Sequence, residues 1–153
     1  MKSIGKIFLG IWLASSLCVG NPMPCGAAEP IPAVLRQLAA RAGEKGTPAR
    51  LRRWAASAED PERHGLAYFV VGYREYVAGD YSGAAEDLRQ AAATPFSLSD
   101  FAEYYGASAA AETAQYARVV EALEGFSARH PQSTFRLNAV ALLAKALLQI
   151  DQA

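Results

Sequence analysis

The sequence predicts an all-α protein built from antiparallel helix-turn-helix pairs, and three observations carry that prediction. Alanine accounts for 32 of the 153 residues, about a fifth, while Val, Ile and Thr together contribute only 17. Alanine loses no side-chain entropy on entering a helix and β-branched residues do, so this balance favours helix over strand. Helix-opening and helix-closing residues recur along the chain, and no stretch alternates apolar and polar residues as a half-buried strand does. Hydrophobic residues make up 52% and charged residues 20%, the profile of a chain that buries a core. Lys plus Arg and Asp plus Glu each number 15, a balance that does not favour nucleic acid as a partner.

The first residues read as a targeting segment. Lys2 and Lys6 precede the apolar stretch from Ile7 to Gly20, then Asn21-Pro22 and the small residues Gly26-Ala27-Ala28. A basic start, a short apolar middle and a small-residue exit are the requirements of a secretory signal peptide, here 1–28. The stretch is short for a hydrocarbon layer of roughly 30 Å. Cleavage is expected after Ala28, or alternatively after Ala27, and an uncleaved signal anchor is the other reading. Cys18 and Cys25 both fall in the removed segment, so the mature chain is expected to carry neither a disulfide nor a thiol nucleophile. Neither cysteine follows the small residue that bacterial lipidation requires. Removing Lys2 and Lys6 from the 15 basic residues leaves 13 against 15 acidic ones. A periplasmic or secreted product follows, touching a membrane only through the signal peptide before cleavage.

Seven helices are expected after it. Pro48 and Pro61 follow the capping residues Thr47 and Asp60 and open helices over 48–58 and 61–78, with an earlier helix over 32–42. Gly79-Asp80 closes the helix over 61–78, and Thr94-Pro95 stops one running over 82–93. Ser97 with Asp100 three residues on resembles a capping box for 98–111. Helices over 115–129, ending at His130-Pro131, and over 134–150 complete the set.

Their order repeats. Tyr68, Val71-Gly72, Ala78-Gly79-Asp80-Tyr81, Ala84, Leu88, Ala91 and Pro95 place large, small and proline residues at the intervals of a helix-turn-helix unit. A looser second unit follows with Ala107, Tyr116, Val119, Leu123, Phe126 and Pro131, and Ala144, Leu147 and Asp151 suggest the start of a third. This pattern resembles the tetratricopeptide repeat, whose period is about 34 residues. The resemblance implies a short right-handed stack of helix pairs over 61–153 with an incomplete last unit, and an atypical helical pair over 29–60. A generic antiparallel bundle is the plainer alternative. Small residues at Gly72, Ala84, Ala91, Ala107, Ala122 and Ala144 are expected where paired helices approach closely, with Leu88, Leu123 and Phe126 filling the seam.

The helix over 134–150 carries two adjoining apolar stripes, Val140, Leu143, Leu147 and Ile150 beside Leu137, Ala141, Ala144 and Leu148. That surface is wider than one neighbouring helix covers. Further repeats, a partner or a homodimer through this helix are the expected coverings.

Beyond the general repeat, Gly72-Tyr73, Tyr76, Gly79-Asp80-Tyr81, Asp87-Leu88-Arg89, Ala93-Thr94-Pro95-Phe96, Tyr104-Tyr105 and Phe126 with Pro131 and Ser133 occur in sequence. Over about residues 30–150 this resembles the N-terminal helical region of bacterial soluble lytic transglycosylases. The resemblance implies an exported scaffold that helps engage peptidoglycan. Those enzymes use a glutamate followed by serine as general acid/base, and none of the ten glutamates here precedes a serine. No catalytic residue is assigned and the chain as given is not expected to be an enzyme.

The candidate binding residues are aromatic. Phe69, Tyr73 and Tyr76 share one helical face by their spacing, and Phe101 and Tyr104 extend it in the next unit. Such rings offer a flat apolar face plus a hydroxyl to a peptide or a sugar, although packing within the core or between helices is the plainer explanation of them. A protein or peptide partner is expected there, with peptidoglycan as the other. The carboxylates Glu59-Asp60-Glu62, Glu86-Asp87 and Glu121/Glu124 read as helix-start or solvated residues, and Arg50, Arg52 and Arg53 beside Trp54 as a solvated basic cluster. His130 is expected to cap its helix, and neither it nor His64 has the neighbours a metal site needs, so no metal and no cofactor is assigned.

Overall fold

The computed structural model describes residues 40–44 and 46–152 together with Gln37, all in the second of the two units, 1–30 and 31–153, into which the chain divides. The expected signal peptide and most of the expected helix over 32–42 lie outside the described residues. The described residues are helical without a strand: α1 Thr47–Ala56, α2 Pro61–Ala78, α3 Tyr81–Ala92, α4 Ser99–Glu112, α5 Tyr116–Leu123, α6 Phe126–Arg129 and α7 Arg136–Asp151. Six are helices of eight residues or more and α6 is a single turn.

Local chemistry sets the boundaries. Asp60 caps α2 by accepting from the N–H of Glu62 at 3.1 Å, with Pro61 in the first turn where its missing N–H leaves no bond unmade. Gly79 ends α2 at φ 81°, a left-handed conformation that a side chain disfavours. Asp80 then caps α3 through the N–H of Gly83.

Three boundaries differ from the sequence expectation. Thr47 is the first buried residue of α1 and not its cap, because Gly46 takes the left-handed cap position. The Ser97–Asp100 capping box does not form. Ser97 instead donates its N–H (2.8 Å) and its hydroxyl to the carboxylate of Glu62 at the start of α2, since an ionised acceptor outcompetes a neutral cap. The expected helix over 115–129 breaks at Glu124-Gly125, where Gly125 adopts φ 71°. The break turns Phe126 inward, and it becomes the largest fully buried side chain.

Successive long helices are adjacent in space: α1 packs on α2, α2 on α3, α3 on α4, α4 on α5 and, past the single turn of α6, α5 on α7. Two apolar clusters hold them. One gathers Ala42, Leu51, Ala55, Ala67 and Val71 around α1 and α2, and the other gathers Leu88, Ala107, Val119, Leu123, Phe126 and their neighbours from α3 to α7. Close approach depends on absent side chains. A Cβ on Gly72 would stand 2.7 Å from Cγ of Leu88 and 3.0 Å from its backbone N. Ala84, Ala91 and Ala107 are likewise buried. Ala144 is not: it lies on an exposed side of α7 against which no described helix packs, contrary to its expected place in a seam.

Helix α7 buries Ala139 and Ala146 and half-buries Leu142 and Leu143. Leu137, Val140, Leu147, Leu148 and Ile150 remain exposed, Leu137 to 83%. No helix among the described residues is long and apolar enough to cross a membrane.

Candidate functional site

The five aromatic residues singled out by spacing come together. Phe69 stacks with Tyr73 at 5.8 Å between ring centroids on α2 and meets Phe101 of α4 edge-on at 6.5 Å. Tyr76 and Tyr104 belong to the same cluster but reach it through rings that spacing had not selected. Tyr105 touches Tyr73 at 5.1 Å, Tyr76 at 5.2 Å and Tyr104 at 5.5 Å, each time at a steep angle. Phe135, at the cap position of α7, stacks on Tyr104 at 4.4 Å and meets Phe101 edge-on at 4.9 Å. Edge-to-face pairs of this kind place a positive ring edge on a negative ring face, each contributing about 0.5–1.5 kcal/mol beyond area burial.

Tyr105 and Phe135 were missed for identifiable reasons. Tyr105 is one residue from Tyr104, hence about 100° round the helix, but α4 has α2 on one side and α7 on the other, so both rings are used. Phe135 precedes its helix and has no periodicity to mark it.

Desolvation shapes the hydroxyls. Burial raises the Tyr76 phenol above its ordinary value, and neighbouring Tyr81 and Tyr104 add to the effect. Burial likewise raises Tyr105, reinforced by Tyr73. These phenols stay neutral donors at physiological pH, suited to orienting a ligand and not to accepting a proton from one. Tyr73 is the most open ring, 38% exposed, beside exposed Val77. From Tyr104 the surface continues into a depression of about 500 Å³ edged by Leu137, Asn138, Ala141, Leu142 and Lys145 of α7. The arrangement presents an aromatic floor, aliphatic side chains and one cation on a run of three helices.

Other candidates resolve into structure. Asp87, expected on a solvated face, is buried, because Arg52 of α1 binds both of its oxygens. The same guanidinium binds Glu75 of α2, so Arg52 is no member of a solvated cluster, while Arg50 and Arg53 are exposed. Arg52 titrates higher than a free guanidinium, chiefly through its bonds to Asp87. Glu75 is raised above its ordinary range, first by burial and then by the charge of Asp87, against the pull of Arg52. Its Oε2 is buried without a hydrogen-bond partner.

His130 does more than end its helix: its Nε2 lies 2.9 Å from Glu103 of α4, which also accepts from Arg129 at 2.6 Å. His64 Nδ1 lies 3.2 Å from the carbonyl of Ala55. Among the described residues no three His, Cys, Asp or Glu side chains converge as a metal site would require. On another face, a cleft of about 420 Å³ has a floor of Ala85, Ala102, Ala107 and Ala110 and a rim that includes Arg89 and Arg118. Its signal in the sequence is the alanine runs of α3 and α4.

Compared with family models, with characterised proteins and with solved structures, the chain gives no match in any of the three.

Proposed function

We propose that the chain is an exported, non-catalytic helical-repeat scaffold that binds a partner on the aromatic face of α2, α4 and α7. In this reading the helix pairs stack as a short right-handed solenoid of the tetratricopeptide kind. Its role is that of the helical region preceding the catalytic domain in lytic transglycosylases: to engage the cell wall or a protein associated with it. The observation that carries the proposal is the ring cluster from Phe69 to Phe135, which leaves Tyr73 open and runs on into the Tyr104–Leu137 depression. Carboxylates support the non-catalytic half. Glycoside hydrolysis needs two carboxyls facing each other across a cleft about 5–10 Å wide. Here Glu75 and Asp87 share one arginine and Glu103 is tied to Arg129 and His130.

A stand-alone adaptor that binds peptide segments of envelope proteins is the second reading. It is favoured by exposed Leu137 and Ala141 at the end of the face, because sugar rings stack on aromatic faces whereas peptides also bring aliphatic side chains. Co-sedimentation with purified peptidoglycan, set against capture of envelope proteins, separates the two. Binding to peptidoglycan that falls in a Tyr73→Ala/Tyr76→Ala variant supports the scaffold reading. Protein capture that falls in the same variant supports the adaptor. A folded variant that keeps all binding removes the aromatic face from either role.

A further inference from the structure

The exposed stripe of α7 is apolar along most of its length and has Ala144 at its centre. Its positions pair about Ala144 as Val140 with Leu148, Ala141 with Leu147 and Leu137 with Asp151, all seven residues being exposed. These are the a, d and e positions of a heptad, a width suited to one further helix. The opposite side, with Ala139, Leu142, Leu143 and Ala146, already packs on the rest of the fold. Alanine stands at the centre of the stripe, as at neighbouring Ala141, where two helices crossing face to face come nearest.

The charges at its two ends are opposite. Arg136 opens α7 and Asp151 closes it. Arg136 donates to the carbonyl of Pro131, and neither side chain forms an ion pair among the described residues. Laid antiparallel on a copy of itself with Ala144 opposite Ala144, α7 brings each Arg136 to within a residue of the other copy's Asp151. A parallel copy would set like charge beside like charge at both ends. In the earlier pairs a small residue, Gly72 or Ala107, is covered inside the helix stack, and at the third such position Ala144 is open.

We infer that α7 pairs with α7 of a second copy of this chain, antiparallel about a two-fold axis through Ala144. The contact is isologous and closed, so it yields a dimer and not a fibre. One helix about 24 Å long makes it a small contact and a weak association. The stripe shares Leu137 and Ala141 with the edge of the Tyr104 depression, so the dimer and a partner bound there compete at those two residues, and the mass of the purified chain tests the dimer without such a partner.

Analytical ultracentrifugation of the purified chain from about 5 to 500 µM tests it, a range spanning a weak contact of this size. The mass is expected to pass from one copy to two. Leu147→Glu, at an exposed position that leaves the core intact, is expected to weaken association at least about tenfold while the circular dichroism stays helical. Arg136→Glu is expected to weaken it a few-fold and Arg136→Glu/Asp151→Arg to restore it, since only the antiparallel register joins those ends. A single-copy mass throughout overturns the inference. So does a dimer indifferent to Leu147→Glu, or a double reversal that binds less well than the single one. If another segment of the chain covers the stripe, the mass stays at one copy and the α7 amides resist hydrogen exchange, which also overturns it.

Discussion

Arg52 on α1 and Asp87 on α3, 35 residues apart, form a two-oxygen ion pair with Nε at 3.0 and 2.9 Å and a terminal guanidinium nitrogen at 2.7 Å. Asp87 is buried and Arg52 also holds Glu75 of α2, so three helices meet on one cation. Removing one side of such a pair leaves a desolvated group without its partner. Asp87→Asn is therefore expected to destabilise the fold by about 2 kcal/mol, moderated by the partial exposure of Arg52. Urea denaturation measures the loss, and hydrogen exchange should show the amides of α1 opening before those of α4.

Glu75 gives the pair a pH dependence of definite sign. Its folded pKa lies above the ordinary 4.5, through burial first and Asp87 second. Below 4.5 the carboxyl is neutral in both folded and unfolded chains, and its contribution to stability is fully present. As pH rises through the window above 4.5, the unfolded chain releases the proton first and that contribution is lost. Glu75→Gln imitates the neutral carboxyl. The variant is expected to be more stable than the parent at pH 7, with the gap closing as pH falls toward 4.5. Denaturation curves at the two pH values check this, and a gap of constant size would refute it.

Gly72 tests the seam between α2 and α3. A Cβ there meets a side chain at 2.7 Å and backbone at 3.0 Å, and backbone does not yield as a side-chain end does. Gly72→Ala is expected to destabilise by about 2–3 kcal/mol, the upper part of the usual range for overpacking. Gly106→Ala is the control. Its Cβ would stand 3.3 Å from Cβ of Leu88, close enough to need only a small adjustment, and the gain of helix propensity offsets much of it.

Tyr73 and Phe135 separate binding from folding. Tyr73 is partly open, so Tyr73→Ala is expected to change stability by less than about 1 kcal/mol while reducing partner binding at least about tenfold. Phe135 stands among Phe101, Tyr104 and Tyr105. Phe135→Ala is expected to destabilise by about 2 kcal/mol through the space it leaves. Thermal melts of both variants, run beside the binding assay, distinguish the two effects.

Much of this architecture was legible in the residues. Asp60-Pro61 and Gly79-Asp80 announce their helix ends because capping chemistry is local and a glycine at φ 81° has few substitutes. Ser97 misled because its partner, Glu62, is 35 residues away, and a local motif carries no information about a distant competing acceptor. Gly125 was passed over because a lone glycine in an apolar helical pattern is compatible with continuing the helix, and only the burial of Phe126 makes the break worthwhile. Periodicity found Phe69, Tyr73 and Tyr76 on one helix. It could not find the rings that join them to the next helices, since Tyr105 and Phe135 are selected by neighbours and not by spacing. Asp87 was misread for the same reason: burial of a carboxylate is decided by whether an arginine reaches it.

The division of the core into two clusters also sets the one indole among the described residues apart from most of the phenols. Trp54 packs with the α1–α2 cluster, as Tyr68 does, whereas Tyr76, Tyr81, Tyr104, Tyr105 and Tyr116 pack with the α3–α7 cluster. Indole emission from Trp54 therefore reports the end held by Arg52, and the near-ultraviolet dichroism of the crowded phenols reports the aromatic face. The two ends of one small helical chain can be watched in different wavelength bands during a single melt.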